Sequence, residues 1–254
     1  TQEDLLRLIQ GLHGQGKKVM IGFWGFWGDG AQGPGEWMKL HPELRPRQKD
    51  ESDIGDPFAV LHPENMTFEA YIASQYKKLK ETFGFDGLFL ADGLSGYRVF
   101  TDPNRYDDKE NSCLRWADFY RTIAEAVHGT NGQLWAYDCM GFSYEEARKH
   151  GADYRLFAKV GLDTLVFQSY PTAWAYYFKV PGKTGLKQDL ANFESVRVAT
   201  ADTNLKAYYS LELGDSVEGW WPGHKTTRGQ MTGFATVADG KFLVWGNDLI
   251  AAMK

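Results

Sequence analysis

Cysteine is almost missing from this 254-residue chain. Cys113 and Cys139 are the only two, they form no Cys-x-x-Cys, and neither has a histidine beside it. That excludes a disulfide framework and a zinc ribbon, and leaves the redox compartment open. Long apolar runs are also lacking: none approaches the roughly 18–20 residues of a membrane-spanning helix. Basic clusters are absent, and the net charge is −5 with a sequence pI near 5.7, which argues against a nucleic-acid or anionic-membrane partner. No histidine closes a strand-like run. His13, His128 and His150 fall on helices or their ends and His41, His62 and His224 in loops, so the His-x-His of a metal-dependent amidohydrolase is missing and no metal site is expected. No lysine lies within or at the end of a strand. Lys206 enters its strand at the N-terminal end, which removes a Schiff-base aldolase. Ser169 and Ser210 have neither a neighbouring histidine nor a nucleophile-elbow context. Gly25, Gly28 and Gly30 stand in the order G-x-x-G-x-G, not the phosphate-binding G-x-G-x-x-G, and no helix follows them. No repeat of solenoid length and no low-complexity tract is present.

What remains is rhythm. Leu5, Leu6, Leu8, Ile9 and Leu12 fall at helical spacing behind a Thr1 cap, with Gly14 and Gly16 ending the helix. Helices are expected over 68–83, 114–127, 144–150, 154–160 and 190–201, with a weak one over 227–237. Short apolar strands are expected to start near residues 18, 87, 133, 164, 207 and 242. Helices alternating with buried strands mean a parallel βαβ architecture. At 254 residues and 43% hydrophobic content, one domain covering 1–254 is expected. The stretch from Gly25 to about Asn65, with Pro34, Pro42, Pro46 and Pro57, is too irregular for core elements, and loops of that length in compact domains are usually functional. A closed (β/α) barrel has eight strands and six are legible here. The expected fold is therefore a TIM-type (β/α) barrel, incomplete, starting at its second helix with its first βαβ portion upstream. An open doubly wound sheet is the alternative.

Four of these strands close on an acid: Asp92, Asp138, Glu212 and Asp248. An ionised carboxylate at a buried strand tip is costly unless it is paired, solvated by a cleft or used. Barrel active sites are assembled from strand C-termini. By the two-residue period, Leu88, Leu90 and Asp92 share a face, as do Leu134, Ala136 and Asp138, and Tyr208, Ser210 and Glu212. If that face is the interior, Asp92 and Glu212 converge over the core. Two carboxylates flanking a sugar-sized gap carry out glycoside hydrolysis, one donating a proton and the other attacking or activating water. Asp92 and Glu212 are the candidate pair and Asp138 the third candidate. Asp86 reads as a turn or helix-stop residue and Asp248 as a helix cap. Glu218 competes with Glu212 if that strand runs later.

Aromatics cluster by the same tips: Trp24 and Trp27 after the first strand, Tyr170 and Trp174 after the fourth, Trp220 and Trp221 after Glu212. Flat indole faces stack on the apolar faces of sugar rings, although loop aromatics also plug barrel ends. Arg98, Gln168 and Asn247 are polar groups at loop bases suited to reading hydroxyls. The expected activity is glycoside hydrolysis of an oligo- or polysaccharide without a cofactor; a sugar-binding barrel without catalysis is the alternative. A polysaccharide substrate would fit a secreted or periplasmic setting.

The helix Asp4–Leu12, the strand Lys17–Trp24, the loop with Trp37, His41-Pro42-Glu43 and Leu61–Asn65, and the strand Phe85–Asp92 together resemble the middle of glycoside hydrolase barrels. The likeness is to the superfamily of alpha-galactosidase/alpha-glucosidase-like and uncharacterised glycosyl-hydrolase-like barrels, and it spans roughly residues 4–95. The resemblance implies a fourth barrel strand that presents a functional aspartate. In those barrels the acid stands five residues after the first Asp, a position held here by Ala91; Asp92 comes one later.

Overall fold

The computed structural model describes residues 1–23, 68–90, 109–137, 141–149, 151–167, 186–212 and 242–245. In chain order these form α1 (Gln2–Gly14), β1 (Met20–Phe23), α2 (Phe68–Phe83), β2 (Gly87–Leu90), α3 (Lys109–His128), β3 (Gln133–Tyr137), α4 (Tyr144–Lys149), α5 (Tyr154–Val160), β4 (Thr164–Phe167), α6 (Leu186–Ala199), β5 (Lys206–Glu212) and β6 (Phe242–Trp245). All six strands start within two residues of the sequence expectation. The largest difference is at α3, which begins at Lys109 rather than 114. Its first turn, Lys109-Glu110-Asn111-Ser112, carries no apolar residue, so hydrophobic spacing cannot reveal it. The expected helix over 227–237 lies outside the described residues. Among the described residues, no helix is long and apolar enough to cross a membrane.

Local chemistry sets the boundaries. Thr1 and Asp4 form a reciprocal capping box at the start of α1. Asp153 caps α5 by accepting from the Arg155 and Leu156 amides, and Gly161 ends that helix in the left-handed region at φ 113°. A β-carbon at Gly161 would also come within 2.8 Å of the Ala124 methyl, so packing as well as backbone conformation requires glycine there.

The sheet order bears on the two expected folds. Its order is β1-β2-β3-β4-β5-β6 and every pair is parallel. A doubly wound sheet reverses its strand order at a switch point, which places helices on both faces. Among the described residues the order shows no reversal. Crossovers of one hand then lay the described helices that connect these strands on the same face, and the packing agrees. Leu88, Leu90, Leu134, Ala136, Leu165, Phe167 and Tyr209 join Ile72 and Tyr76 of α2, Trp116, Tyr120 and Ile123 of α3, Phe157 of α5 and Phe193 of α6 in one buried cluster. Tyr120 and Phe157 approach to 4.5 Å between ring centroids. Each buried leucine, isoleucine or phenylalanine of the cluster contributes about 1.5–3 kcal/mol by leaving water. The parallel singly wound order is the pattern of a (β/α) barrel wall; among the described residues β1 and β6 each have one strand neighbour.

The opposite face carries the other phase. Gly22 is in register with Phe89, Phe89 with Trp135, and Trp135 with Thr164; one step higher, Tyr137 pairs with Val166 and Val166 with Tyr208. Phe89, Trp135, Tyr137 and Val166 form their own cluster there. Gly87 lies in this phase too. A β-carbon on it would meet the Gln133 carbonyl oxygen at 2.2 Å and the Met20 methyl at 2.6 Å, so strand approach at that point excludes any side chain.

Candidate functional site

The two ends of the sheet differ in chemistry. At the strand N-termini, carboxylates are spoken for. One oxygen of Asp86, just before β2, accepts from the Val19 amide at 2.7 Å and lies 2.8 Å from His13 Nε2 at the end of α1. One oxygen of Asp163, just before β4, accepts from the Leu134 amide at 2.7 Å and lies 2.8 Å from His128 Nε2 at the end of α3. These are the same device twice: a carboxylate ties the start of the preceding strand to the end of that strand's helix. Burial pushes the Asp86 carboxyl up, but the Val19 amide and His13 outweigh it and hold the group below its ordinary range. The backbone follows suit, since the Asp86 amide donates to Val19 and the Asp163 amide to Leu134. Asp86 was expected as a turn or helix-stop residue, and it is a structural brace. Asp163 was not foreseen. Its signal was readable: His13-Gly14 stands six residues before Val19, and His128-Gly129 six before Leu134.

At the C-terminal end the second face is aromatic and then polar. Phe89 packs against Tyr137 at 5.0 Å between centroids, and Trp135 against Tyr208 at 5.7 Å. Above them the Tyr137 hydroxyl and Ser210 Oγ are 3.1 Å apart, reaching across β4 over Val166. Both are buried; Ser210 is 0% exposed. Glu212 is the last residue of β5, two positions beyond Ser210 and in register with Trp245. On the helix side of the same strand, Tyr209 donates to Asp189 Oδ2 at 2.5 Å, fastening the first turn of α6 beneath the sheet. Asn192 of α6 donates to the Gly141 carbonyl, and Ser195 accepts from the Tyr144 amide.

The sequence candidates distribute as follows. Glu212 ends β5. Asp92, Asp138, Trp24, Trp27, Arg98, Gln168, Tyr170, Trp174 and Trp220 lie outside the described residues. The shared-face premise needs correction. Leu88 and Leu90, and Leu134 and Ala136, pack against the helices, whereas Tyr208 and Ser210 belong to the opposite phase, in which Tyr137 and Val166 pack. The two acid-bearing triplets of β2 and β3 therefore start from the face opposite to that of β5. Sequence could not show this, because β2 is apolar in both phases and strands buried on both faces lose their alternation. Among the described residues, no group of three His, Cys, Asp or Glu is arranged to hold a metal ion.

No protein-family model matches the chain, and no curated protein is significantly similar to it. Solved structures are. The chain shares its fold with a class V chitinase from Pseudomonas fluorescens Pf-5. The two are 17% identical and superpose with a TM-score of 0.50, covering 81% of this chain and 52% of that one. Catalytic domain 2 of the Group II chitinase of Ostrinia furnacalis is 14% identical with a TM-score of 0.48, over 85% of this chain and 51% of that one. The chain thus spans about half the length of these structures. At such identities the likeness is one of fold.

Proposed function

We propose that this chain is part of a glycoside hydrolase barrel that acts on an oligo- or polysaccharide, with Glu212 as one of its two working carboxyl groups. The observation that carries this reading is the position of Glu212. It is an acid at the C-terminal tip of β5, in the phase of the aromatic face and directly beyond a buried hydroxyl pair. Strand C-termini are where (β/α) barrels build their sites, and the fold shared with the Pseudomonas fluorescens chitinase supports a polysaccharide as substrate. Asp92 is the proposed partner and Asp138 its competitor. Trp24, Trp27, Tyr170, Trp174 and Trp220 would stack on sugar rings, while Arg98 and Gln168 bond hydroxyls. No cofactor enters the chemistry, because proton donation and nucleophilic assistance need only two carboxyls. The test is hydrolysis across a glycan panel that includes chitin oligosaccharides, by the full-length protein and its Glu212→Gln and Asp92→Asn variants. A fall of at least 100-fold in kcat for Glu212→Gln is expected; wild-type turnover in both variants removes the assignment.

A second reading rests on strand phase. On β2 the phase turned away from the helices is Gly87 and Phe89, and on β3 Trp135 and Tyr137, all odd positions. Asp92 and Asp138 are even. A barrel with Glu212 as its sole acid in phase would bind sugar without cleaving it. Saturable glycan binding with no turnover in wild type decides for this reading.

A further inference from the structure

We propose that Glu69 is a ligand-binding carboxylate at the rim of the sheet, and that the group it takes is the ammonium of an amino-sugar unit. This rests on the reading of the chain as a carbohydrate-acting barrel and names the substrate class: a polysaccharide with free amines rather than a neutral one.

Glu69 stands in the first turn of α2. Ile72, Ala73 and Tyr76 follow it at helical spacing and are all buried, so Glu69 belongs to the stripe that α2 turns toward the sheet. Height separates it from them. α2 leads into β2 through residues 84–86, so helix and strand run in opposite senses. From Phe83 back to Glu69 the helix climbs about 21 Å, whereas β2 rises about 10 Å from Gly87 to Leu90. The helix therefore carries Glu69 well past Leu90 toward the strand C-termini, the end at which (β/α) barrels collect their ligands.

The side chain is half-buried, and its Oε2 is closed off from solvent without a hydrogen-bond partner among the described residues. An acid in a first turn is ordinary, because a helix N-terminus favours negative charge. Shielding one of its oxygens without a donor is not, since that forfeits the hydration of a charged acceptor. Such an oxygen suits a site whose donor arrives from outside. Rotation of the carboxyl group is close to two-fold and easy, so either oxygen can be presented without moving the helix. A ligand hydroxyl would occupy a lone pair and leave the charge unbalanced. An ammonium does both, and its attraction is strengthened where water is partly excluded. A divalent cation would need further acids, and among the described residues no group of three His, Cys, Asp or Glu is arranged to hold one. The net charge of −5 acts in the same direction, drawing a polycationic chain and repelling an acidic one.

The experiment is calorimetric binding of a glucosamine hexasaccharide, its N-acetylated counterpart and cellohexaose to the full-length protein, at low salt and at a pH where the amines are protonated. The wild type is expected to bind the amine hexamer about tenfold more tightly than either neutral one, with the preference shrinking as ionic strength rises. Glu69→Gln, which keeps the shape and removes the charge, should weaken the amine hexamer alone and bring all three affinities together. Glu81→Gln removes the same charge from an exposed position near the other end of α2 and should leave the preference intact. Equal affinities in the wild type overturn the proposal, as does a preference that survives in Glu69→Gln, a preference lost equally in Glu81→Gln, or no binding of the amine hexamer. Binding is read without turnover, so the two readings fail separately. Wild-type hydrolysis by Glu212→Gln would remove the glycosidase assignment of that residue and leave the amine preference to be decided here. A wild-type near-ultraviolet circular dichroism spectrum shows that each variant is folded.

Discussion

The carboxylate braces at the strand N-termini can be broken singly. Asp86→Ala deprives the Val19 amide of its charged acceptor and His13 of its partner. A hydrogen bond to a charged group contributes about 1.5–3 kcal/mol, and removing the acceptor leaves a part-buried donor unmet. The His13–Asp86 pair, with side chains 35% and 30% exposed, adds less than about 1 kcal/mol after solvent screening. The expected loss is about 2–3 kcal/mol, which for a chain of this size lowers the thermal midpoint by roughly 5–10 °C. Asp163→Ala should cost the same, because its bonds have the same lengths and donor types. The braces share no residue, so the double variant should be additive within about 0.5 kcal/mol. Acid sharpens the test. The folded-state pKa of Asp86 lies below its unfolded value, so this stabilisation is complete above about pH 4 and disappears as pH falls through the folded-state value. In Asp86→Asn that part of the acid loss should be missing. Urea unfolding between pH 2 and 7 measures all of this, with Asp118→Ala, which breaks only an exposed pair with Arg121, as control. If Asp86→Ala and Asp163→Ala are no less stable than the control, the braces are surface decoration and the reasoning fails.

Gly87→Ala should cost about 3 kcal/mol or more or abolish folding, because its β-carbon would meet the Gln133 backbone at 2.2 Å; Gly22→Ala, on the neighbouring strand in the same phase, meets nothing within 4 Å among the described residues and should be tolerated, as paired thermal melts would show. Tyr209→Phe should lose about 2 kcal/mol by taking the hydroxyl from buried Asp189, and Asp189→Asn combined with it should recover part of that loss in urea unfolding, since a neutral side chain is cheaper to bury.

Element existence was legible because the strands are short, apolar and bounded by glycine or turn residues, as at Gly84 before β2 and Gly161 before β4. Strand order was not: it follows from crossover geometry, and nothing in the residues of β3 or β4 says which neighbour each will take. Among the described strands the order shows no reversal of the doubly wound kind. Candidate site residues were legible only as positions. Glu212 announces itself by ending an apolar run. The Tyr137–Ser210 contact joins residues from strands that are not neighbours, across β4, and no local pattern encodes it. The Asp163 brace was encoded, but only as a spacing shared with Asp86, which becomes visible when the two helix–strand units are compared with each other.

From Leu90 through Ala136 and Leu165 to Ala207 the register runs straight across four strands on the helix side. Glu212 is five residues beyond Ala207 on β5, an odd step that puts it in the opposite phase, the one of Tyr208 and Ser210. Its partner is decided by activity. In the proposed pairing, Asp92→Asn lowers kcat at least 100-fold and Asp138→Asn leaves it within a few-fold of wild type, and the reverse order makes Asp138 the partner.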